Sequence, residues 1–219
     1  IAEKPLAGTM EGAKELLAIH RSHPTLVMVA ENYRYNDENN IIKDLVDQGR
    51  IGEVVYFINN NVVDFKSEMK KDTFAATEWR QYPKFPGGAF LDAALHDIAA
   101  FRHIFGQVNT VYAFGRPQDE AYSPYLSYNC QIHFKNNVAG QYNYFCDGLE
   151  TQKPPVGFRI FGTRGQIYLE DKNSGKLFVS YRDGAAEEIS FLPNRGYYNE
   201  FLNFYNAFHG KEPIQVTQE

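Results

Sequence analysis

The sequence predicts an α+β chain: a mixed, mostly antiparallel sheet of about six strands with helices on one face, preceded by a short α/β piece. Three observations predict it. The first ~50 residues alternate helical stretches with one short, wholly apolar run, as parallel α/β structure does. Residues 108–181 hold six strand-like segments joined by turn pairs, as hairpins are. Three helical patterns, 36–48, 89–105 and 196–209, are spaced so that they can cover one side of that sheet.

Residues 9–22 read as a helix, with Thr9 as its cap, Leu16, Leu17 and Ile19 on one side, and Pro24 closing it. The run 26–30 reads as a strand buried on both faces. Asn36 or Asp37 caps the next helix, which turns Ile41, Ile42, Leu45 and Val46 inward and stops at Gly49. Residues 54–63 are strand-like, and 64–86 form a polar loop ending in Gly87-Gly88, long enough to expect a function. The helix 89–105 stops at Gly106. The strand segments are 108–115, 125–134, 138–146, 156–162, 165–170 and 175–181. The final helix carries Phe201, Leu202, Tyr205 and Phe208 on one stripe.

Composition excludes several classes. With 43% hydrophobic and 22% charged residues the chain is neither disordered nor fibrous. Its net charge of −5 argues against a broad nucleic-acid footprint. No apolar run approaches the ~18 residues of a membrane span. Only Cys130 and Cys146 are present, and a reduced, cytoplasmic pair is expected over a disulfide. The 17 Phe and 15 Tyr are a heavy aromatic load for 219 residues. The strands 125–134 and 138–146 do not read as a clean alternation, and Tyr142, Tyr144 and Phe145 place aromatics on both faces. They are either ordinary surface residues or a contact between subunits, and sheet-to-sheet packing through Tyr128 and Tyr142 is the expectation.

The candidate chemistry centres on 87–106. Asp92 and His96 stand four apart, so a helix stacks them on one side. A carboxylate beside an imidazole on a largely apolar helix suits proton transfer, because it orients the ring. A capping Asp with a satisfied core His is the plain alternative. His103, seven residues after His96, makes a third possible ligand, but no Cys or Glu cluster supports a metal, and none is expected. His20 and His23 straddle a helix end and read as solvated. Pro5 restrains Lys4 to extended backbone and permits a cis peptide, which would aim its ammonium. The segment 31–35, Glu-Asn-Tyr-Arg-Tyr, follows the buried run, at the end where α/β sheets bind ligands. The sequence contains no G-x-G-x-x-G, no P-loop and no G-x-S-x-G.

Taken in order, Glu3-Lys4-Pro5, Asn32-x-Arg34, Gly49-x-Ile51-Gly52, Trp79-Arg80, Gly87-Gly88-x-x-x-Asp92-x-x-x-His96 and Gly162-x-x-Gly165 resemble the glucose-fructose oxidoreductase / inositol dehydrogenase / MocA family. The likeness covers nearly the whole chain and only the C-terminal part of the family pattern. It implies that residues 1–31 are the tail of a Rossmann dinucleotide-binding domain, and 32–219 a substrate-binding and dimerisation domain. It implies NAD or NADP as cofactor and hydride exchange with a sugar, polyol or related hydroxy compound. The fragment alone is expected to be inactive. A non-catalytic binding or oligomerisation module is the alternative. Lys4, Asp92 and His96 are implied as catalytic and substrate-binding, Arg34 as substrate-binding, and Glu3, Pro5 and Arg80 as cofactor-binding. The implied assembly is a homodimer or tetramer through the open sheet face. Ala94 and Ala99 depart from the Gly and Asp the family favours, which touches the support of the site rather than its chemistry.

Overall fold

The structure is a computed structural model and describes residues 1–23, 25–70 and 72–217. Pro24, expected to close the first helix, lies outside the described residues. The N-terminal piece is strand β1 (Ala2–Glu3), helix α1 (Met10–Ser22) and strand β2 (Val29–Ala30), with the two strands parallel. Thr9 caps α1 as expected, its hydroxyl accepting from the Gly12 amide at 3.1 Å. The run 26–30 makes a shorter strand than its composition suggested. Its parallel partner has only two residues, so Leu26 is left exposed while Met28 is fully buried. Helix α1 buries none of its residues.

A 3-10 turn (Asn32–Tyr35) leads into α2 (Asp37–Asp47). Strand β3 (Val54–Val62) follows, and the polar loop after it holds two single-turn helices, α3 (Phe65–Glu68) and α4 (Glu78–Gln81). Helix α5 is Gly88–Phe105. Then come β4 (Val108–Glu120), β5 (Ser123–Phe134), β6 (Ala139–Phe145), β7 (Phe158–Gly162), β8 (Gly165–Leu169), β9 (Lys176–Tyr181) and β10 (Ala186–Ser190), closed by α6 (Gly196–Phe208).

The large sheet has eight strands rather than six, in the order β10-β9-β8-β7-β3-β6-β5-β4. Strand β3 takes a central place, parallel to β6 and antiparallel to β7, although it carries the poor strand formers Asn59, Asn60 and Asn61. Two neighbouring strands hold it where propensity would not. Strand β10, Ala-Glu-Glu-Ile-Ser, is a short charged edge, which discourages pairing with other chains.

Helices α2 and α5 cover one face. Phe57 lies at the centre, its ring stacked on Phe105 at 4.5 Å and 4.8 Å from Phe101. Gly140 makes room for it, since a Cβ there would collide with the Phe57 ring. Register then corrects the expected open face. Side chains alternate along a strand, and Tyr128, Tyr142 and Tyr144 share the helix-covered side. Tyr128 stacks on Phe90 at 3.6 Å, and Tyr142 is buried. The open face instead aligns Tyr112 with Gln131 and Gln141, and Phe114 with Asn129 and Asn143. The helix at 196–209 is also placed differently. It packs on the 3-10 turn rather than on the sheet, through Asn199 to the Tyr35 carbonyl and from the Tyr35 hydroxyl to Asn203. Its aromatic stripe faces outward.

Candidate active site

The Gly87-Gly88 pair lets α5 begin against the sheet. Gly88 has a left-handed φ of 56°, and a Cβ on it would strike the Tyr122 carbonyl oxygen, which accepts from the Ala89 amide at 2.7 Å. Butted there, the helix turns Phe101 and Phe105 to the core and Asp92 and His96 toward the N-terminal piece.

Asp92 is held from two distant segments. The Lys4 ammonium donates to its Oδ1 and to its backbone carbonyl, each at 2.6 Å, and the Lys4–Pro5 peptide is cis. Arg80 donates from Nε to Oδ2 at 2.9 Å, with its guanidinium 4.4 Å above the Trp79 ring centre. Burial by itself would push the Asp92 carboxyl up. The hydrogen bonds and charges of Lys4 and Arg80 outweigh it and hold the group below the usual carboxylate value. Both carboxylate oxygens are thus engaged by cations, and Asp92 remains ionised.

His96 answers to a different carboxylate. Its Nδ1 lies 2.7 Å from Oε1 of Glu31, which is only 5% exposed. The same oxygen accepts from the Tyr33 amide at 3.1 Å, so Glu31 also caps the 3-10 turn. The Tyr33 ring stacks on the imidazole at 4.3 Å and 20°. With Nδ1–H donating to a carboxylate, the lone pair is on Nε2, the nitrogen available for proton exchange.

The expected Asp92–His96 pair is therefore split. Helical spacing brings the two residues to one side of α5, but two cations capture the carboxylate and Glu31 captures the ring. Arg34 does not join them: its Nη1 bonds Asn40 Oδ1 at 3.1 Å, as does His103 Nε2 at 3.0 Å. Arg80 turns onto Asp92. Glu3 is an exposed residue of β1, and Pro5 is half-buried. Glu31 and Tyr33 had no assigned role from sequence. Their only signal was position, immediately after an apolar run that ends a parallel strand.

The eight-stranded sheet, the helix that begins at its glycine pair, and the lysine delivered to that helix are features that place the chain in a family. The chain belongs to the glucose-fructose oxidoreductase / inositol dehydrogenase / MocA family: the model of that oxidoreductase family's C-terminal alpha/beta domain matches residues 43–219. Among curated relatives, an uncharacterized protein of Saccharomyces cerevisiae is 32% identical over 97% of this chain and 62% of its own length. The levoglucosan dehydrogenase of Pseudarthrobacter phenanthrenivorans is 31% identical over 87% of this chain and 54% of its own. A solved levoglucosan dehydrogenase, in complex with NADH and levoglucosan, superposes with a TM-score of 0.79 at 20% identity, covering 99% of this chain and 65% of that one. An oxidoreductase from Thermotoga maritima superposes with a TM-score of 0.81 at 25% identity, over 98% of this chain and 61% of that one. The chain spans about three fifths of the length of the curated relatives it matches. Among the described residues no helix is long and apolar enough to cross a membrane, and Cys130 and Cys146 are both free.

Proposed function

We propose that residues 1–31 are the end of a dinucleotide-binding domain and 32–219 the substrate-binding, dimerising domain of an NAD(P)-dependent oxidoreductase acting on a sugar, polyol or related hydroxy compound. The observation that carries this reading is the paired arrangement at α5: Lys4 and Arg80 on Asp92, and Glu31 on His96. The residues present fit the reactive end of a nicotinamide cofactor, because a partly exposed ammonium and an imidazole supply what hydride transfer leaves to the protein. No glycine-rich phosphate cradle occurs in the sequence, so these 219 residues alone are read as inactive. A bound nicotinamide would supply the hydride chemistry at the carbon that bears the reacting oxygen.

The chain's own residues then manage charge and one proton. Asp92, locked between two cations, positions Lys4 instead of accepting the proton. The Lys4 ammonium stabilises negative charge developing on the substrate oxygen. His96 takes the hydroxyl proton on Nε2 during oxidation and returns it during reduction, with Glu31 holding the ring and balancing the imidazolium. The side chains of Lys4, Arg80 and His96 are 13%, 24% and 21% exposed, an accessible site rather than a sealed structural contact, which supports an enzyme over a binding module. The open sheet face, with Tyr112 72% and Phe114 67% exposed, is proposed as the contact with a second copy. The free cysteines support a reducing, cytoplasmic compartment.

In the full-length protein, Lys4→Ala and His96→Ala are expected to lower kcat by ~100-fold or more, with NAD(P)H affinity little changed for His96→Ala. Steady-state kinetics and cofactor fluorescence titration check this. Wild-type turnover in both variants would leave the binding-module reading in its place.

A further inference from the structure

A cavity of ≈ 320 Å³ opens behind the imidazole, between α2, the Asn-rich end of β3, α5 and the loops before β7 and after β8. Lys4, Asp92 and His96 are not part of its wall. Tyr33 is the link: its ring stacks on His96, it lines the cavity, and its hydroxyl accepts from the Lys172 ammonium at the rim, 2.5 Å away.

Glu38 is what makes this cavity more than a gap. It lines the wall, is 3% exposed, and its Oε2 has no hydrogen-bond partner. A buried carboxylate oxygen is seldom left unpaired, so an orphan on a residue that lines the cavity marks a place for a donor that arrives with a ligand. On another wall Asp97 accepts from the Tyr142 hydroxyl at 2.8 Å and from Asn61 at 2.7 Å. Burial pushes both carboxyls up. Phe101, Phe158 and Leu169 supply apolar surface beside these groups, as C–H faces of a ring require. Five carboxyl groups line the cavity against two ammoniums, Lys153 and Lys172. Its volume is at the small end of ligand pockets, which run from about 300 to 1,000 Å³.

We propose that this cavity receives the part of the substrate remote from the reacting carbon, that Glu38 accepts a hydrogen bond from one of its hydroxyls, and that the site thereby selects a single uncharged polyhydroxylated ring over sugar acids, sugar phosphates and nucleotide-linked sugars. This rests on the reading that hydride transfer occurs at Lys4 and His96. The carboxyl-rich wall disfavours an anion, and the volume disfavours a second ring with its nucleotide.

The test uses the full-length protein, with D-glucose, levoglucosan and myo-inositol as neutral probes and D-glucuronate and D-glucose 6-phosphate as anionic ones. Calorimetry on the wild type should show at least one neutral probe binding about 10-fold or more tightly than either anion. Tighter or equal binding of an anion, or no binding of any neutral probe, overturns the proposal. Glu38→Gln keeps the shape and should weaken the bound neutral probe about 10-fold. In kinetics the loss should appear in KM far more than in kcat. Unchanged affinity in a variant that melts like the wild type also overturns it. Failure of the hydride-transfer reading looks different: Lys4→Ala and His96→Ala then leave turnover intact while the neutral preference in calorimetry persists.

Discussion

Helices α5 and α6 both carry aromatic residues at helical spacing and use them in opposite ways. α5 turns Phe101 and Phe105 onto Phe57 and the sheet, and both are buried. α6 buries Gly196, Glu200 and Asn203, while Phe201, Tyr205 and Phe208 stay open. An apolar stripe states which residues share a side. Whether the chain itself offers that side a partner is a question of tertiary structure, and for α6 it offers polar atoms on the 3-10 turn.

The largest effect should separate the two helices directly. Phe101→Ala is expected to destabilise by about 3–5 kcal/mol, since it opens a cavity under Phe57, whereas Phe208→Ala, 71% exposed, should stay within about 0.5 kcal/mol. Chemical denaturation of the two variants decides it. Equal losses would mean that α6 has a packed partner after all.

A smaller effect tests what α6 buries in place of its aromatics. Glu200 is 2% exposed and its carboxyl is pushed up to about 7, first by burial and then by the charges of Glu3 and Glu31. The folded state then holds a proton that the unfolded state, titrating near 4.5, has released. Stability should therefore fall as pH rises from about 4.5 to about 7, by up to about 3 kcal/mol, and level off above that. Glu200→Gln should remove this slope and be more stable than the wild type at pH 8, with little difference near pH 4. Parallel melting curves for the two proteins across that range would show that Glu200 stays ionised.

The smallest change in monomer stability, within about 0.5 kcal/mol, is expected for Phe114→Lys on the open sheet face. Sedimentation at micromolar protein should nevertheless show the variant shifted toward monomer. A wild-type chain that is already monomeric would remove the proposed dimer face.

Much of this architecture was legible in residue patterns, and the failures share a cause. Thr9, Gly49 and the Gly87-Gly88 pair mark their helix ends through local backbone demands, which a sequence displays. Strand β10 escaped notice because Ala-Glu-Glu-Ile-Ser lacks the usual strand formers and pairs only because β9 is beside it. Tyr128 and Tyr142 read as a subunit contact, although the period of two groups them with Cys130, Ile132, Phe134 and Tyr144, opposite Ser127, Asn129, Gln131 and Asn143; periodicity says which residues share a face, and only the tertiary structure says that helix α5 covers it. At the site, Lys4, Arg80 and Asp92 stood out as motif residues. The partner of His96 did not, because Glu31 is 65 positions away and the nearer carboxylate, one helical turn back, is the obvious choice.

Lys4 and Glu31 come from the N-terminal piece, Arg80 from the loop after β3, and Asp92 and His96 from α5. The cluster is therefore no single segment's property. A crossover between relatives placed anywhere from residue 32 to residue 79 hands two of the five side chains to one parent and three to the other. Each half would inherit contacts shaped for a counterpart it no longer has. In genealogical terms the unit that must travel together runs from Lys4 through His96, across the domain boundary proposed at residue 31.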